Sequence, residues 1–149
     1  NADPNKLVHG DWHPGNMIFR QEEIVAICDF DNTRFGSRAR EIAQAMIHCS
    51  IKLPQPGQPA IECAPEPDLP ALGAFWSGLN REHSRVYSSR MIAGLMPAVM
   101  VDAALAMLSP AGHESDLEQA KSMLIAVNRK TRWLDEHQGE LIQMLDSAK

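Results

Sequence analysis

Two short stretches of the sequence combine residue types that suit phosphate chemistry. The first, HGDWHPGN at residues 9–16, holds two glycines and a proline, which predict a loop of constrained geometry. Asp11 and Asn16 stand five residues apart in it, so a carboxylate and an amide can be aimed at one point. The second, ICDFDNT at residues 27–33, ends an apolar run in two aspartates, of which Asp29 comes first.

Phosphoryl transfer to an alcohol needs groups of these kinds. Its transition state is loose, so positioning and charge neutralisation dominate catalysis. Magnesium prefers oxygen ligands and usually keeps several waters, and Asn16 and Asp29 are suitable ligands. A separate carboxylate must orient the attacking hydroxyl and take its proton, which Asp11 can do if the metal leaves it free. One interpretation is therefore a kinase.

The second stretch also fits a phosphatase. An apolar strand followed by D-x-D-x-T is the first motif of the haloacid dehalogenase-like phosphatases, and VAICDFDNT is similar to it. Asp29 would then be the nucleophile, Asp31 the general acid/base and Thr33 a helper. This interpretation requires later strands in a parallel sheet, whereas the C-terminal half has a helical pattern, and it leaves HGDWHPGN unexplained. It is the second-ranked hypothesis.

Two further interpretations stay open. His9, Asp11 and His13 alternate in HGDWH and could ligate a hydrolytic metal, although the other four histidines are scattered along the chain. A degenerate kinase could bind a partner or nucleotide without turnover. The presence of Asp11, Asn16 and Asp29 argues against that last hypothesis.

The two stretches together resemble the catalytic core of the aminoglycoside phosphotransferase and choline kinase-like family. These small-molecule kinases have a protein-kinase-like fold; HGD is similar to the H-R-D of protein kinases, and DFD stands where D-F-G would be. The resemblance implies that Asp11 is the catalytic base, that Asn16 and Asp29 hold Mg²⁺ and the nucleotide, and that His9 braces the loop. It implies ATP as co-substrate and a small-molecule alcohol as acceptor, which can be an aminoglycoside, a choline-like amine, an amino-acid alcohol or a sugar.

The sequence departs from the family pattern in two places. The family usually has an aspartate in a D-L-A pattern that supports the catalytic loop, and REIA puts Glu41 there, so the support by this longer side chain is an open question. No glycine-rich loop and no nucleotide-binding lysine precede HGD. We therefore expect that the N-terminal nucleotide-binding lobe is missing from this chain and that the chain alone is inactive.

Short strands must position these residues. The pattern predicts a first strand, a loop and a second strand within residues 7–20, and a third, mostly buried strand that forms a hairpin with the second. The predicted buried residues of the third strand are Ile24, Val25, Ile27 and Phe30. A helix should follow Gly36 with Ser37 as its N-cap. Six of the ten prolines lie in residues 53–70, which predicts a loop.

The rest of the chain has a helical pattern. Leu69–Leu79 marks one helix, and residues 83–108 mark a longer one that Pro97 should kink or split. A capping box, Ser115 to Glu118, predicts the start of the last helical region.

These elements predict an α+β fold, mostly α. It corresponds to a protein-kinase-like C-terminal lobe in which a small β-hairpin carries the catalytic loop and helices form the remainder. The predicted organisation is a single lobe over residues 1–149. Residues 1–52 form the catalytic loop, hairpin and first helix, 53–70 the proline-rich loop and 71–149 the helical subdomain.

Composition narrows the partners and the compartment. The formal net charge is −5 and the pI about 5.6, without a basic stripe, which argues against a nucleic-acid partner. The apolar residues 91–108 are interrupted by Pro97 and Asp102, so no membrane span is predicted. Three cysteines without a CxxC pair suit a reducing compartment, which predicts a cytoplasmic protein.

Overall fold

The computed structural model describes residues 5–52, 59–82, 87–107 and 117–148. The strands are β1 (Asn5–Val8), β2 (Met17–Arg20), β3 (Glu23–Ile27) and β4 (Arg34–Ser37). The helices are α1 (Arg38–Ser50), α2 (Leu69–Glu82), α3 (Ser89–Met107), α4 (Leu117–Glu136) and α5 (Gln138–Ser147), and single turns of 3-10 helix occupy Pro14–Asn16 and Ala60–Glu62. The α+β, mostly helical fold class is confirmed. The predicted capping-box residue Ser115 lies outside the described residues.

The strands form two antiparallel pairs, and together these pairs hold both candidate stretches. The predicted β2–β3 hairpin is confirmed, with Met17 opposite Ile27. β1 pairs with β4, and Val8 lies opposite Arg34. The first loop (residues 9–16) runs from β1 to β2 and the second loop (residues 28–33) from β3 to β4. Each end of the first loop therefore lies beside an end of the second.

The predicted burial of the third strand is wrong. Its apolar residues are between 37% and 57% exposed, and these are Ile24, Val25, Ile27 and Phe30. Ile18 and Phe19 on the paired strand are also exposed. The reason is architectural, because within the described residues this hairpin has two strands and the hydrophobic core lies among the helices. An apolar run predicts a strand here, but it does not predict a layer that covers the strand.

The helices surround one hydrophobic core with α3 at its centre. Ile92, Met96 and Met100 of α3 are fully buried and pack with residues of α1, α2, α4 and α5. Ser37 caps α1 as predicted, since its Oγ accepts a hydrogen bond from the Arg40 N–H at 3.1 Å. α3 is one helix in spite of Pro97, so the predicted split does not occur. Among the described residues, no helix is long and apolar enough to span a membrane.

The described part of the proline-rich segment, residues 59–68, is anchored to α4. Lys130 is buried, and its Nζ donates to the Ala64 carbonyl at 2.5 Å; burial lowers the pKa of this amine. Arg129 donates to the carbonyls of Ile61 and Cys63. The backbone of this segment therefore finds its partners in side chains of α4, because the prolines leave few backbone donors for regular structure.

Candidate active site

A glycine allows the two loops to touch. Gly10 has a φ of 84°, in the left-handed region that favours glycine. A Cβ at this position would collide with the Asn32 carbonyl oxygen and the Arg34 guanidinium. The first glycine of HGDWHPGN therefore permits a close backbone approach between the first loop and the second.

Asp11 and Asn16 meet within the first loop. Asn16 is buried, and its Nδ2 donates to the Asp11 backbone carbonyl at 3.0 Å and to Asp11 Oδ2 at 3.4 Å. His13 Nε2 lies 3.6 Å from the same carboxylate oxygen. The Asp11 side chain is nevertheless 32% exposed. Its carboxylate is thus held by neighbours on one side and accessible on the other, as a group that must meet a substrate requires.

Asp29 follows β3 in an unusual backbone conformation. Its φ is 62°, in the left-handed region, which aspartate tolerates better than most residues. The preceding N–H, from Cys28, donates to the Asn16 carbonyl at 3.0 Å. Asp29 is therefore one residue from a backbone bond to Asn16. The structure brings the backbones of the two predicted ligands together, and strained conformations of this kind cluster at functional sites.

His9 connects the two loops through hydrogen bonds of its ring. It is buried, its Nε2–H donates to the Cys28 carbonyl at 3.0 Å, and its Nδ1 accepts from the Asp11 N–H at 3.4 Å. Its ring also lies 4.7 Å from that of Phe30, centroid to centroid. One imidazole thus bonds Cys28, the residue before Asp29, and Asp11, to which Asn16 donates.

α1 supports the first loop at two points. Glu41 Oε1 accepts from the Gly10 N–H at 3.0 Å, so the longer acid does reach the loop. Seven residues on, His48 donates from Nδ1 to the Trp12 carbonyl at 3.2 Å. The sequence analysis missed His48, although residues seven apart lie on the same face of a helix two turns away.

Burial lowers the pKa of His48. The Trp12 carbonyl raises it in part, and His13, whose ring centroid is 6.1 Å from that of His48, lowers it further. Asp11 has a smaller raising effect. The neutral imidazole is therefore the form that the folded protein favours.

The donor set favours magnesium over a transition metal. No group of three or more His, Cys, Asp or Glu side chains that could hold a metal occurs in residues 5–52, 59–82, 87–107 and 117–148, so the hydrolase hypothesis of His9, Asp11 and His13 finds no support. Asn16 donates from its Nδ2 to Asp11, which leaves its Oδ1 available to other partners. An amide oxygen and the carboxylate of Asp29 are hard ligands that suit Mg²⁺.

A cavity of about 420 Å³ opens beside the first loop. Trp12 and Glu41 line it at the loop, and Phe75 and Trp76 of α2 line it together with Tyr87, which lies just before α3. Helix α2 and the first loop therefore meet at this cavity.

Comparison with known proteins separates the two halves of the chain. Residues 1–74 match the family model described as the phosphotransferase enzyme family, APH. This stretch is phosphotransferase-like. The resemblance to the aminoglycoside phosphotransferase-like family is thus confirmed over both loops, all four strands and α1. The chain matches no curated protein and no solved structure.

The phosphatase hypothesis finds no support. It places Asp29 after a strand of a parallel sheet, yet β3 pairs antiparallel with β2, and no strand follows β4 in the described residues. The family match also covers HGDWHPGN, which that hypothesis left unexplained.

Proposed function

We propose that this chain is the catalytic C-terminal lobe of an ATP-dependent kinase that phosphorylates a hydroxyl of a small molecule. One observation carries the proposal. The first loop presents the Asp11 carboxylate beside Asn16, and a backbone hydrogen bond ties Asn16 to the residue before Asp29, within a stretch that matches the phosphotransferase family. A base and two metal ligands in this order are what phosphoryl transfer to an alcohol requires.

Asp11 takes the role of base in this proposal. Its accessible carboxylate orients the acceptor hydroxyl and accepts its proton while the oxygen attacks the γ-phosphorus of ATP. The new O–P bond forms as the bond from that phosphorus to the β–γ bridging oxygen breaks, and ADP leaves with the electron pair. Asn16 Nδ2 and His13 keep the carboxylate in place.

Asn16 and Asp29 would hold Mg²⁺. When bound, the metal neutralises charge on the phosphates of ATP. The protein's own contribution is to fix the two oxygen ligands, Asn16 through its bond to Asp11 and Asp29 through the β3 end.

A nucleotide-binding lobe would complete the ATP site. The exposed apolar side chains of the β2–β3 hairpin support this part of the proposal, since exposed apolar surface of this kind typically packs against a partner. The described cysteines are free thiols, in keeping with a reducing cytoplasm, and the net charge of −5 does not favour nucleic acid.

The decisive experiment measures ADP release with Mg-ATP and a panel of alcohol acceptors. It uses a polypeptide that carries both this lobe and the proposed nucleotide-binding lobe, and compares wild type with Asp11→Asn. We expect acceptor-dependent release to fall about 10²–10⁴-fold in the variant, because the base is lost, while ATP binding is kept. Asp135→Asn, an exposed aspartate of α4, is the matched control and should behave as wild type.

Two outcomes would contradict the proposal. Wild-type turnover in Asp11→Asn would remove the base assignment. No release with any acceptor, together with hydrolysis of a generic phosphate ester that depends on Asp29, would restore the phosphatase hypothesis.

A further inference from the structure

The cavity beside the first loop is placed to hold the acceptor. Trp12, which lines it, is the neighbour of Asp11 in the chain, and Glu41, which also lines it, is bonded to Gly10 on the other side of Asp11. The cavity therefore adjoins the segment of the first loop that carries Asp11. Half of the lining comes from residues beyond the family match, in α2 and at Tyr87. The nature of this lining thus bears on the acceptor of this chain in particular.

Most of the cavity wall is aromatic or aliphatic. Four rings line it, from Trp12, Phe75, Trp76 and Tyr87, together with aliphatic side chains of α1 and α2. Binding sites for small molecules combine such a wall with a few placed polar groups. Aromatic walls pack best on a flat apolar body, to which they contribute large contact areas. A strongly hydrated, polyhydroxylated molecule would make little apolar contact with these rings.

The charges of the cavity point to an anionic group on the ligand. Among the described residues, its charged lining consists of Glu41 and Arg38. Glu41 already accepts the Gly10 N–H, whereas the side chain of Arg38 is exposed and has no hydrogen bond or ion pair within the described part of the chain. Asp68, in the acidic segment before α2, is not in the lining and caps that helix through the Ala71 N–H at 3.0 Å.

A second cavity shows where the anionic group does not belong. It has about 410 Å³, shares Trp76, Asn80 and Tyr87 with the first, and reaches Asp146. Asp146 Oδ1 already accepts the Ser89 hydroxyl at 2.6 Å. An acid at that end would meet a carboxylate, so the acid is expected at Arg38.

We propose that the acceptor is an alcohol with an aromatic or similarly flat apolar body and an acidic group. The body packs against the four rings, the acid pairs with the Arg38 guanidinium, whose fork matches a carboxylate, and the hydroxyl faces Asp11. This inference rests on the proposed function, because it takes the cavity as the acceptor site. Among the acceptors left open by the sequence, it disfavours polycationic aminoglycosides and choline-like amines.

The test uses three probes of one shape and different charge. They are 4-(hydroxymethyl)benzoate, the neutral 4-(hydroxymethyl)benzamide and the cationic 4-(aminomethyl)benzyl alcohol. Binding to this chain without ATP is followed by tryptophan fluorescence, since Trp12 and Trp76 line the cavity while Trp133 stacks on His137 in another part of the molecule. We expect the benzoate to bind tightest and the amine weakest.

Variants locate the effect at Arg38. Arg38→Gln should weaken benzoate binding about fivefold, the upper range for an exposed ion pair, and leave benzamide binding unchanged. Arg132→Gln removes the same charge from an exposed position of α4 and should change neither affinity. Trp12→Phe should reduce the fluorescence response to all three probes.

The outcomes separate this inference from the proposed function. Tightest binding of the amine would indicate an aromatic cage for cations and overturn the inference, as would equal binding of the three probes, no binding, or an Arg38→Gln variant with unchanged benzoate affinity. If the benzoate binds as expected but no acceptor-dependent ADP release is found, the ligand class stands and the kinase proposal fails.

Discussion

The strand region, residues 5–37, and the helical region, which comprises the described residues between 38 and 148, are stabilised in different ways. In the strand region, the larger apolar side chains are mostly exposed, and the two loops are held by hydrogen bonds and a close glycine contact. In the helical region, apolar residues of all five helices share one core. The family match ends at residue 74, near the start of α2. The comparison teaches that the candidate site residues Asp11, Asn16 and Asp29 lie on a part of the fold that contributes little to the core.

α1 connects the two regions because some of its side chains pack in the core and others contact the first loop. Ala43, Met46 and Ile47 are buried in the core, while Glu41 and His48 reach the first loop. The loop geometry therefore depends on the position of a helix that the core fixes. Variants can separate stability from activity along this division.

The largest expected effect is on the stability of the helical region. Met96 is fully buried at the centre of the core, so Met96→Ala should lower the free energy of unfolding by about 2–5 kcal/mol. Phe19, in the strand region, is 53% exposed, and Phe19→Ala should change the free energy of unfolding by less than about 0.5 kcal/mol. Urea denaturation of the two variants gives the comparison. Equal losses would mean that the strand region shares the core's stability after all.

A smaller effect is expected on nucleotide binding in the strand region. Asp29→Asn should weaken Mg²⁺-dependent nucleotide binding about tenfold or more, since a charged ligand is lost. Asparagine also tolerates the left-handed backbone at this position, so the fold should be kept. Titration of ATP with and without Mg²⁺ measures the effect, and Asp135→Asn serves as the control. Unchanged Mg²⁺-dependent binding would contradict the ligand assignment.

The two regions also differ in what the sequence could predict. Asp11, Asn16 and Asp29 could be named as candidates because phosphate chemistry restricts residue type and spacing. The hairpin and the Ser37 cap were correct because both depend on local patterns. The β1–β4 pairing depends on partners about thirty residues apart, which no local pattern encodes.

Packing sets the limit of that prediction. The exposure of β3 was missed because an apolar run does not say whether a layer covers it. The reach of Glu41 and the presence of His48 at the loop depend on how α1 lies against it. The cavity beside the first loop arises where α1, α2 and the loop meet, so most of its lining residues appear in the sequence as ordinary helix positions.

Support of the loop by α1 can be tested at Glu41. Glu41→Ala leaves the Gly10 N–H without its acceptor, which should cost about 1–3 kcal/mol and lower turnover roughly tenfold by loosening the loop. Glu41→Gln keeps an oxygen acceptor and should restore most of the turnover. The readout is the ADP release of the proposed kinase, measured together with urea denaturation. Equal turnover in both variants would mean that the bond to Gly10 does not position Asp11.

The smallest effect is expected in the pH dependence of stability, and it tests the second contact between α1 and the loop. Because burial lowers the pKa of His48 below its usual 6.5, the unfolded chain takes up a proton first as the pH falls. Stability should therefore be full above about pH 6.5 and decline below it until the lower, folded pKa is passed. His48→Gln keeps a donor for the Trp12 carbonyl but does not titrate, so its unfolding free energy should fall less steeply between pH 6.5 and 5. The same slope in both proteins would mean that the imidazole titrates equally in the folded and unfolded states and would contradict this prediction.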